Sequence, residues 1–204
     1  YNGIDVATYV SDMFPSIPMI MGDFVVFNFD KWPEPIVVPG SNSSKDSEYT
    51  LFFLDKIWQL NFSKRRKSIV EKSRLAQFFN SRLPQPYASD FAGLPIIRTD
   101  HRTNPAYLRN IFRSPNTFAA DVPNSYLNIY ANSVLTLSNR VHACVATLVY
   151  GNPAMLFSAS PRSKLLDRLG VPNITKEPVW LDLDYIESEK INLINWLKKK
   201  IDQL

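Results

Sequence analysis

The sequence predicts an α/β domain in which a Rossmann-like parallel sheet carries helices on both faces. Four short apolar runs, rich in β-branched and aromatic residues, have the composition of buried strands: 24–29, 94–98, 133–137 and 153–157. Segments suited to helices alternate with these runs over most of the chain, which is typical of parallel sheets. The chain has 204 residues, enough for one domain with a full core.

The composition excludes several classes of protein. Hydrophobic residues make up 45% of the chain and charged residues 21%, with a net charge of +4. No run approaches the roughly 18 consecutive apolar residues that a membrane helix needs, so we expect no membrane span. The charge is too small for a dedicated nucleic-acid-binding protein, and we expect no nucleic-acid partner. Neither a dinucleotide-binding glycine motif nor a P-loop occurs.

The single cysteine, Cys144, lies in an apolar helical run. One thiol forms no internal disulfide, and no metal-ligand spacing surrounds it. We therefore predict a buried core residue, no metal site and a reducing, cytoplasmic location.

We divide the chain into three parts. Residues 1–23 form a lead-in that ends a preceding segment, 24–184 form the α/β domain, and 185–204 form an amphipathic C-terminal helix. Within the domain, 40–92 is expected to be partly irregular or a helical insertion. The chain begins at Tyr1 without a basic and then apolar signal segment, so we expect it to be part of a longer protein.

Two helices are predicted inside that insertion. Residues 49–60 have apolar spacing suited to a helix, and 61–79 continue as a basic amphipathic helix. Its basic run at 64–67 indicates either a solvated helix face or a contact with a partner or polyanion.

The polar stretch from Ser138 to His142 stands where a buried strand turns into a helix. Ser138 is expected to cap the helix, which places Asn139, Arg140 and His142 at the carboxyl edge of the sheet. Free backbone N–H groups, the helix dipole and a guanidinium favour an anion there, and the imidazole supplies an acid–base group. An alternative stays open, because Arg and His at a helix start often cap the helix or pair with a neighbouring acid.

His101 is a second candidate at the same edge of the sheet. It follows the predicted strand 94–98, as Ser138 follows 133–137. Its imidazole could line a cleft there or lie in an exposed loop.

Residues 129–144, which contain this stretch, and residues 151–157 resemble the polysaccharide pyruvyltransferase family. That family carries an S-x-R-x-H stretch at a strand-to-helix junction. A G-x-P strand start follows, and then a basic residue before a short helix, where Arg162 and Lys164 both fit. A weaker similarity to the family's s-D-p segment lies at 10–13.

This resemblance implies the carboxyl-terminal half of a two-domain transferase, similar to one half of a GT-B-type glycosyltransferase. It implies pyruvyl transfer from phosphoenolpyruvate to a sugar of a cell-surface polysaccharide, without a further cofactor or a metal. Arg140 would bind the phosphate or carboxylate of the donor, and His142 would be the general acid. Five further residues are expected to contact substrate: Ser138, Asn139, Arg162, Lys164 and His101. We expect the chain to be incomplete without its amino-terminal half.

Two other functions stay open. The chain could be half of a nucleotide-sugar glycosyltransferase, although no Glu stands near 138–170 to hold a ribose. It could also be a non-catalytic domain that uses the fold for partner contacts, as the basic segment 61–79 would allow. A homo-oligomer is compatible with each of these functions.

Overall fold

The computed structural model describes residues 4–29, 34–40, 49–62, 87–100, 116–158 and 161–203. The strands are β1 (Val25–Asn28), β2 (Ile36–Pro39), β3 (Tyr49–Phe53), β4 (Lys56–Asn61), β5 (Asp90–Phe91), β6 (Leu94–Thr99), β7 (Thr117–Phe118), β8 (Leu135–Ser138) and β9 (Ala154–Leu156). The described helices are α1 (Val10–Met13), α2 (Pro123–Ala131), α3 (Val141–Val149), α4 (Lys164–Asp167) and α5 (Leu183–Ile201). Short 3-10 turns, Val6–Tyr9 and Pro161–Ser163, precede α1 and α4.

Parallel strands form the central sheet, in the spatial order β7-β6-β1-β8-β9. Numbered by their order along the chain, these strands stand as 3-2-1-4-5. The order reverses between β1 and β8, which makes that gap a topological switch point of the sheet. The short β5 adds an antiparallel pairing with β6. The predicted parallel sheet is therefore confirmed.

The four predicted apolar runs correspond to β1, β6, β8 and β9. Every residue of β1, β8 and β9 is buried. A strand covered on both faces needs apolar side chains at nearly every position, so it is recognisable as a continuous run.

One face of the central sheet carries an apolar layer. Phe27 and Phe157 are at most 1% exposed, and they share a hydrophobic cluster with side chains of a small antiparallel sheet, β2-β4-β3. The rings interlock: the Tyr49 and Phe157 centroids are 5.0 Å apart, and those of Trp58 and Phe91 are 4.8 Å apart. Within the described ranges, a second sheet covers this face where helices were predicted. A sheet with one apolar side buries such a face as a helix does.

Helices α2 and α3 cover the opposite face. In α3 every residue except His142 is buried. Val26 of β1 and Ile97 of β6 belong to a cluster with Ile129 of α2 and Ala146 of α3. The predicted helix cover is thus present on this side of the sheet.

Residues 49–60 form the hairpin β3–β4, so the helix predicted there is wrong. Phe53 pairs with Lys56, which leaves Leu54 and Asp55 as a two-residue turn with φ of 49° and 57°. Two successive left-handed residues match the twist of paired strands. The apolar spacing of residues 49–60 is compatible with a helix as well as with a hairpin. Packing of these side chains against the central sheet favours the hairpin.

The predicted basic helix at 61–79 has only its first two residues in the described ranges. Asn61 ends β4, and Phe62 is 5% exposed in the aromatic layer. These two residues continue the hairpin strand and its core contact. The rest of that prediction, including the basic run at 64–67, lies outside the described residues.

The lead-in and α5 pack together beside α3. Ile4 is 7% exposed and belongs to the core cluster that includes residues of α3 and α5. Lys190 of α5 is buried, and its Nζ lies 2.7 Å from each carboxylate oxygen of Asp12. The same Nζ stands 5.4 Å from the centre of the Tyr9 ring. The first residues and the last helix therefore belong to the same packed unit as α3.

The second half of α5 leaves the core. Ile186 is 2% exposed, whereas Ile194 and Ile201, which helical spacing places near the same side, are 41% and 65% exposed. Of the amphipathic stripe predicted for this helix, only Leu193 packs against the core, while Ile191, Ile194, Leu197 and Ile201 are exposed. Across the described ranges, no helix combines the length and apolar composition that a bilayer crossing requires.

Candidate functional site

Polar side chains meet where β6, β1 and β8 reach the carboxyl edge of the sheet. The Nδ2 of Asn28 donates to the carbonyl oxygen of Thr99 at 2.9 Å and to its hydroxyl at 3.0 Å. The Ser138 hydroxyl donates to Oδ1 of Asn28 at 3.0 Å. The Thr99 and Tyr130 hydroxyls are 2.9 Å apart. We call these four residues the strand-end network; it ties three strands and α2 together at the switch point.

The partners of Asn28 determine its orientation. A carbonyl oxygen can only accept, so the amide nitrogen of Asn28 must face Thr99 and its oxygen must face Ser138. The Ser138 hydroxyl donates to Asn28 at 3.0 Å, and the Arg140 carbonyl is a longer second acceptor at 3.3 Å. The Ser138 oxygen in turn accepts the backbone N–H of Arg140 at 2.9 Å, and the Asn28 carbonyl accepts the N–H of Asn139 at 3.0 Å. The turn that enters α3 is thus held at two successive N–H groups.

Ser138 is not the helix cap that was predicted. It is the last residue of β8, paired with Asn28 on one side and Leu156 on the other, and it is 0% exposed. Arg140 takes the N-cap position with an extended backbone, and α3 begins at Val141. The strand runs one residue further than predicted because both neighbours pair with it. Ser138 is a buried residue that positions the turn, and its hydroxyl does not reach the protein surface.

Asn139 and Arg140 lie directly above the switch point. Asn139 is buried at 7% exposure, and the Arg140 side chain is half-buried at the start of α3. The first N–H groups of a helix lack partners inside the helix, and the positive end of its dipole lies there. The structure therefore brings a guanidinium, a helix start and a fixed turn together at one place.

His142 lies on the exposed side of the same helix turn. Its side chain is 70% exposed, and its Nε2 stands 3.5 Å from Oδ2 of Asp5 in the lead-in. The open alternative, in which this histidine pairs with a neighbouring acid, thus describes one of its contacts. The remaining exposure leaves the ring accessible to a ligand.

Two other predicted site residues follow β9 and belong to no hydrogen bond of the strand-end network. Arg162, in the turn before α4, and Lys164, the first residue of α4, are both exposed. They follow β9, the next strand after β8 across the sheet. His101 lies outside the described residues.

Four residues that organise this edge were not predicted from the sequence: Asn28, Thr99, Tyr130 and Asp5. A lone amide inside an otherwise apolar strand was a usable signal for Asn28, because buried polar groups need partners. Thr99 carried a weaker signal as the residue directly after a predicted strand. Asp5 carried none, since its contact with His142 joins distant parts of the chain.

Cys144 is a core residue, as predicted. It is 0% exposed in α3, and burial raises the pKa of its thiol well above the usual range. The thiol therefore stays protonated near neutral pH and supplies no nucleophile. In the part of the chain that the structure covers, no group of three or more His, Cys, Asp or Glu side chains is arranged to hold a metal ion.

Comparisons with protein-family models, with curated proteins and with solved structures found no match to this chain. The resemblance to pyruvyltransferases stays a hypothesis carried by residues 126–170. The geometry at the switch point is the second, independent guide to function.

Proposed function

We propose that this chain is a transferase domain of Rossmann-like fold that binds phosphoenolpyruvate at the switch point between β1 and β8. The observation that supports the proposal is the position of one stretch of the chain. The stretch from Ser138 to His142, which matches the S-x-R-x-H pattern, lies at the place where sheets of this strand order bind ligands. Every strand-to-helix turn of a parallel sheet lies at its carboxyl edge, but this turn follows β8, one of the two strands that border the switch point.

The proposed donor suits the charges at this place. Phosphoenolpyruvate carries a phosphate and a carboxylate, and a guanidinium binds either group through two parallel hydrogen bonds. Arg140 is assigned this contact, together with the N–H groups at the start of α3. Asn28 and Ser138 hold that turn in place, so the donor site needs little rearrangement to form.

The reaction needs a proton donor beside the anion. Pyruvyl transfer joins C2 of phosphoenolpyruvate to two hydroxyl oxygens of a sugar and releases phosphate. One proton adds to C3, which becomes a methyl group, and the other leaves with the phosphate, so the two hydroxyl protons are accounted for. His142 is proposed as the general acid, because its exposed ring stands in the first turn of the helix that Arg140 begins.

The acceptor is proposed to be a sugar of a cell-surface polysaccharide. Arg162 and Lys164, exposed after β9, would face it or the outer part of the donor. His101 remains a further candidate for this role. A donor made in metabolism places the proposed reaction in the cytoplasm.

Ketal formation in the full-length native protein tests the proposal directly. We expect Arg140→Ala to raise the KM for phosphoenolpyruvate at least about tenfold, since a charge-assisted bidentate contact is lost. We expect His142→Ala to lower kcat about a hundredfold or more, the usual contribution of a general acid. Lys199→Ala, which removes the same charge from the exposed end of α5, is the control and should change neither constant. Unchanged ketal formation in both site variants would contradict the residue assignments.

A nucleotide-sugar glycosyltransferase is the second candidate, and the strand order favours it. The 3-2-1-4-5 arrangement is also that of nucleotide-binding sheets, whose ligand occupies the same switch point. Titration with uridine and guanosine diphosphate sugars, beside phosphoenolpyruvate, separates the two candidates. Binding of a nucleotide sugar that Arg140→Ala weakens, without binding of phosphoenolpyruvate, would favour the glycosyltransferase.

A further inference from the structure

The exposed ring of His142 has an acidic neighbour that is itself held in place. Oδ2 of Asp5 lies 3.5 Å from Nε2 of His142, while Oδ1 of Asp5 accepts the backbone N–H of Ala7 at 2.9 Å. The Asp5 side chain is 14% exposed, against 70% for the histidine. One carboxylate oxygen therefore caps the 3-10 turn Val6–Tyr9, and the other faces the imidazole.

The backbone around Asp5 is anchored on both sides. Ile4 lies in the core cluster with Val141 and Val145 of α3. The fully buried Thr8 donates both its backbone N–H, at 3.0 Å, and its hydroxyl, at 2.7 Å, to the Asp5 carbonyl. The carboxylate thus reaches His142 from a fixed segment packed on the same helix.

This anchoring distinguishes the pair from an ordinary surface contact. An exposed ion pair gains little, because two long side chains must both be immobilised. Here the capping bond already immobilises the acid, so only the histidine ring loses freedom. A carboxylate that holds one ring nitrogen selects the tautomer and leaves the other nitrogen for chemistry.

We propose that Asp5 is a positioning residue for His142. Its carboxylate faces Nε2 at 3.5 Å, favours the proton on that nitrogen of the neutral ring and leaves Nδ1 for the ligand at the switch point. The lead-in therefore contributes a residue to the candidate site. The catalytic meaning of this contact rests on the proposed function, whereas the contact itself does not.

The tautomer of His142 is measured by nitrogen-15 spectroscopy of the labelled chain at about pH 9, where a free imidazole is neutral. The chain has two histidines, so His101 serves as the internal reference in the same spectrum. We expect the ratio of the Nε2–H form to the Nδ1–H form of His142 to fall about fivefold in Asp5→Ser, at the upper end for an exposed pair. Serine is a good N-cap, so the variant keeps the turn and removes the carboxylate.

The control is Asp23→Ser, which removes an equal charge from an exposed position in the same lead-in and should leave the ratio unchanged. Thermal unfolding of Asp5→Ser checks that the fold is retained, and Asp5→Asn, which keeps an acceptor oxygen at this position, should restore part of the ratio. A ratio equal within about twofold in the native chain and in Asp5→Ser overturns the inference, because a carboxylate that selects the tautomer must shift the ratio by more than a weak exposed pair would.

A kinetic measurement separates this inference from the proposed function. In the full-length protein, Asp5→Ser should lower kcat about tenfold, with the KM for phosphoenolpyruvate changed less than about twofold, because the acid is misdirected while the anion site is intact. A changed tautomer ratio with unchanged kcat contradicts a role of Asp5 in the reaction and leaves its contact with His142 standing, while His142→Ala tests the general acid separately.

Discussion

The two faces of the central sheet use the same strands for different purposes. Phe27 and Leu137 point into the aromatic layer beneath the small antiparallel sheet. Asn28 and Ser138, each one position further along the same strands, belong to the strand-end network on the opposite side. Successive side chains of a strand alternate between faces, so a single step along the chain separates the two environments.

Apolar contacts and hydrogen bonds differ in how strongly they depend on the orientation of the side chains. Burial of apolar side chains is favourable in almost any orientation, and it supplies most of the stability. Hydrogen bonds between buried groups contribute little net energy, but they permit only one arrangement. Apolar clusters on both faces therefore keep the sheet folded, and the strand-end network on the helix-covered face determines where the turn from Ser138 to His142 lies.

The largest expected effect is on the aromatic face. Phe27→Ala removes a ring that is 1% exposed and contacts both Phe29 and Phe91. We expect the free energy of unfolding to fall by about 3 to 5 kcal/mol, as for other buried phenylalanines. Urea denaturation measures this change in the free energy of unfolding. A loss below about 1 kcal/mol would show that the aromatic layer contributes little to stability.

Asn28→Ala tests the strand-end network and should lower the free energy of unfolding by about 2 to 3 kcal/mol, because the Thr99 carbonyl loses the Asn28 amide and the Ser138 hydroxyl keeps only its longer contact with the Arg140 carbonyl. Unlike the change at Phe27, it should also loosen the turn locally. Hydrogen exchange at the Arg140 N–H, which Ser138 accepts, should accelerate more than exchange in α2. Equal acceleration in both places would mean that the network stabilises the fold without positioning the turn.

Thr147→Val tests a smaller contact on the same face. The Thr147 hydroxyl donates to that of Thr136 at 2.7 Å, and valine keeps the shape without the hydroxyl. Thr136 retains a contact with Ser133 at 3.1 Å, so we expect a loss of only about 1 kcal/mol. A loss as large as that of Asn28→Ala would show that the bond between Thr147 and Thr136 stabilises the fold as much as the strand-end network does.

The smallest effect is expected on the outer side of the small sheet. Phe52 is 66% exposed on β3, so Phe52→Ser should change the free energy of unfolding by less than about 0.5 kcal/mol. Residues of the same strand that face inward behave differently: Leu51 is 0% exposed. A large loss at Phe52 would indicate that a partner surface covers this side in solution.

The parallel strands could be predicted from sequence because strands buried on both faces are continuous apolar runs. The position of the stretch from Ser138 to His142 at the carboxyl edge followed from its place directly after one such run. The strand order did not follow, because neighbouring strands with similar apolar composition do not specify which of them pair. The switch point was therefore visible only in the folded chain.

The errors have a common physical origin in contacts between distant segments. Leu51 and Trp58 have helical spacing, yet packing against the central sheet makes them part of a hairpin. Serine is a residue type that often caps helices, yet pairing with both neighbouring strands makes Ser138 the last residue of β8. Asp5 lies in a segment with no pattern of its own, and only folding brings it to His142.

The buried thiol of Cys144, the one cysteine of this sequence, makes the opening of α3 measurable by alkylation. Alkylating reagents cannot reach a side chain that is 0% exposed, so Cys144 is modified only in molecules in which α3 has opened or the chain has unfolded. Because this sequence holds no second cysteine, the alkylation rate reports the open population when closing is faster than alkylation. A ligand bound at the start of α3 would lower the alkylation rate of Cys144, and this decrease would report binding before any reaction product is known.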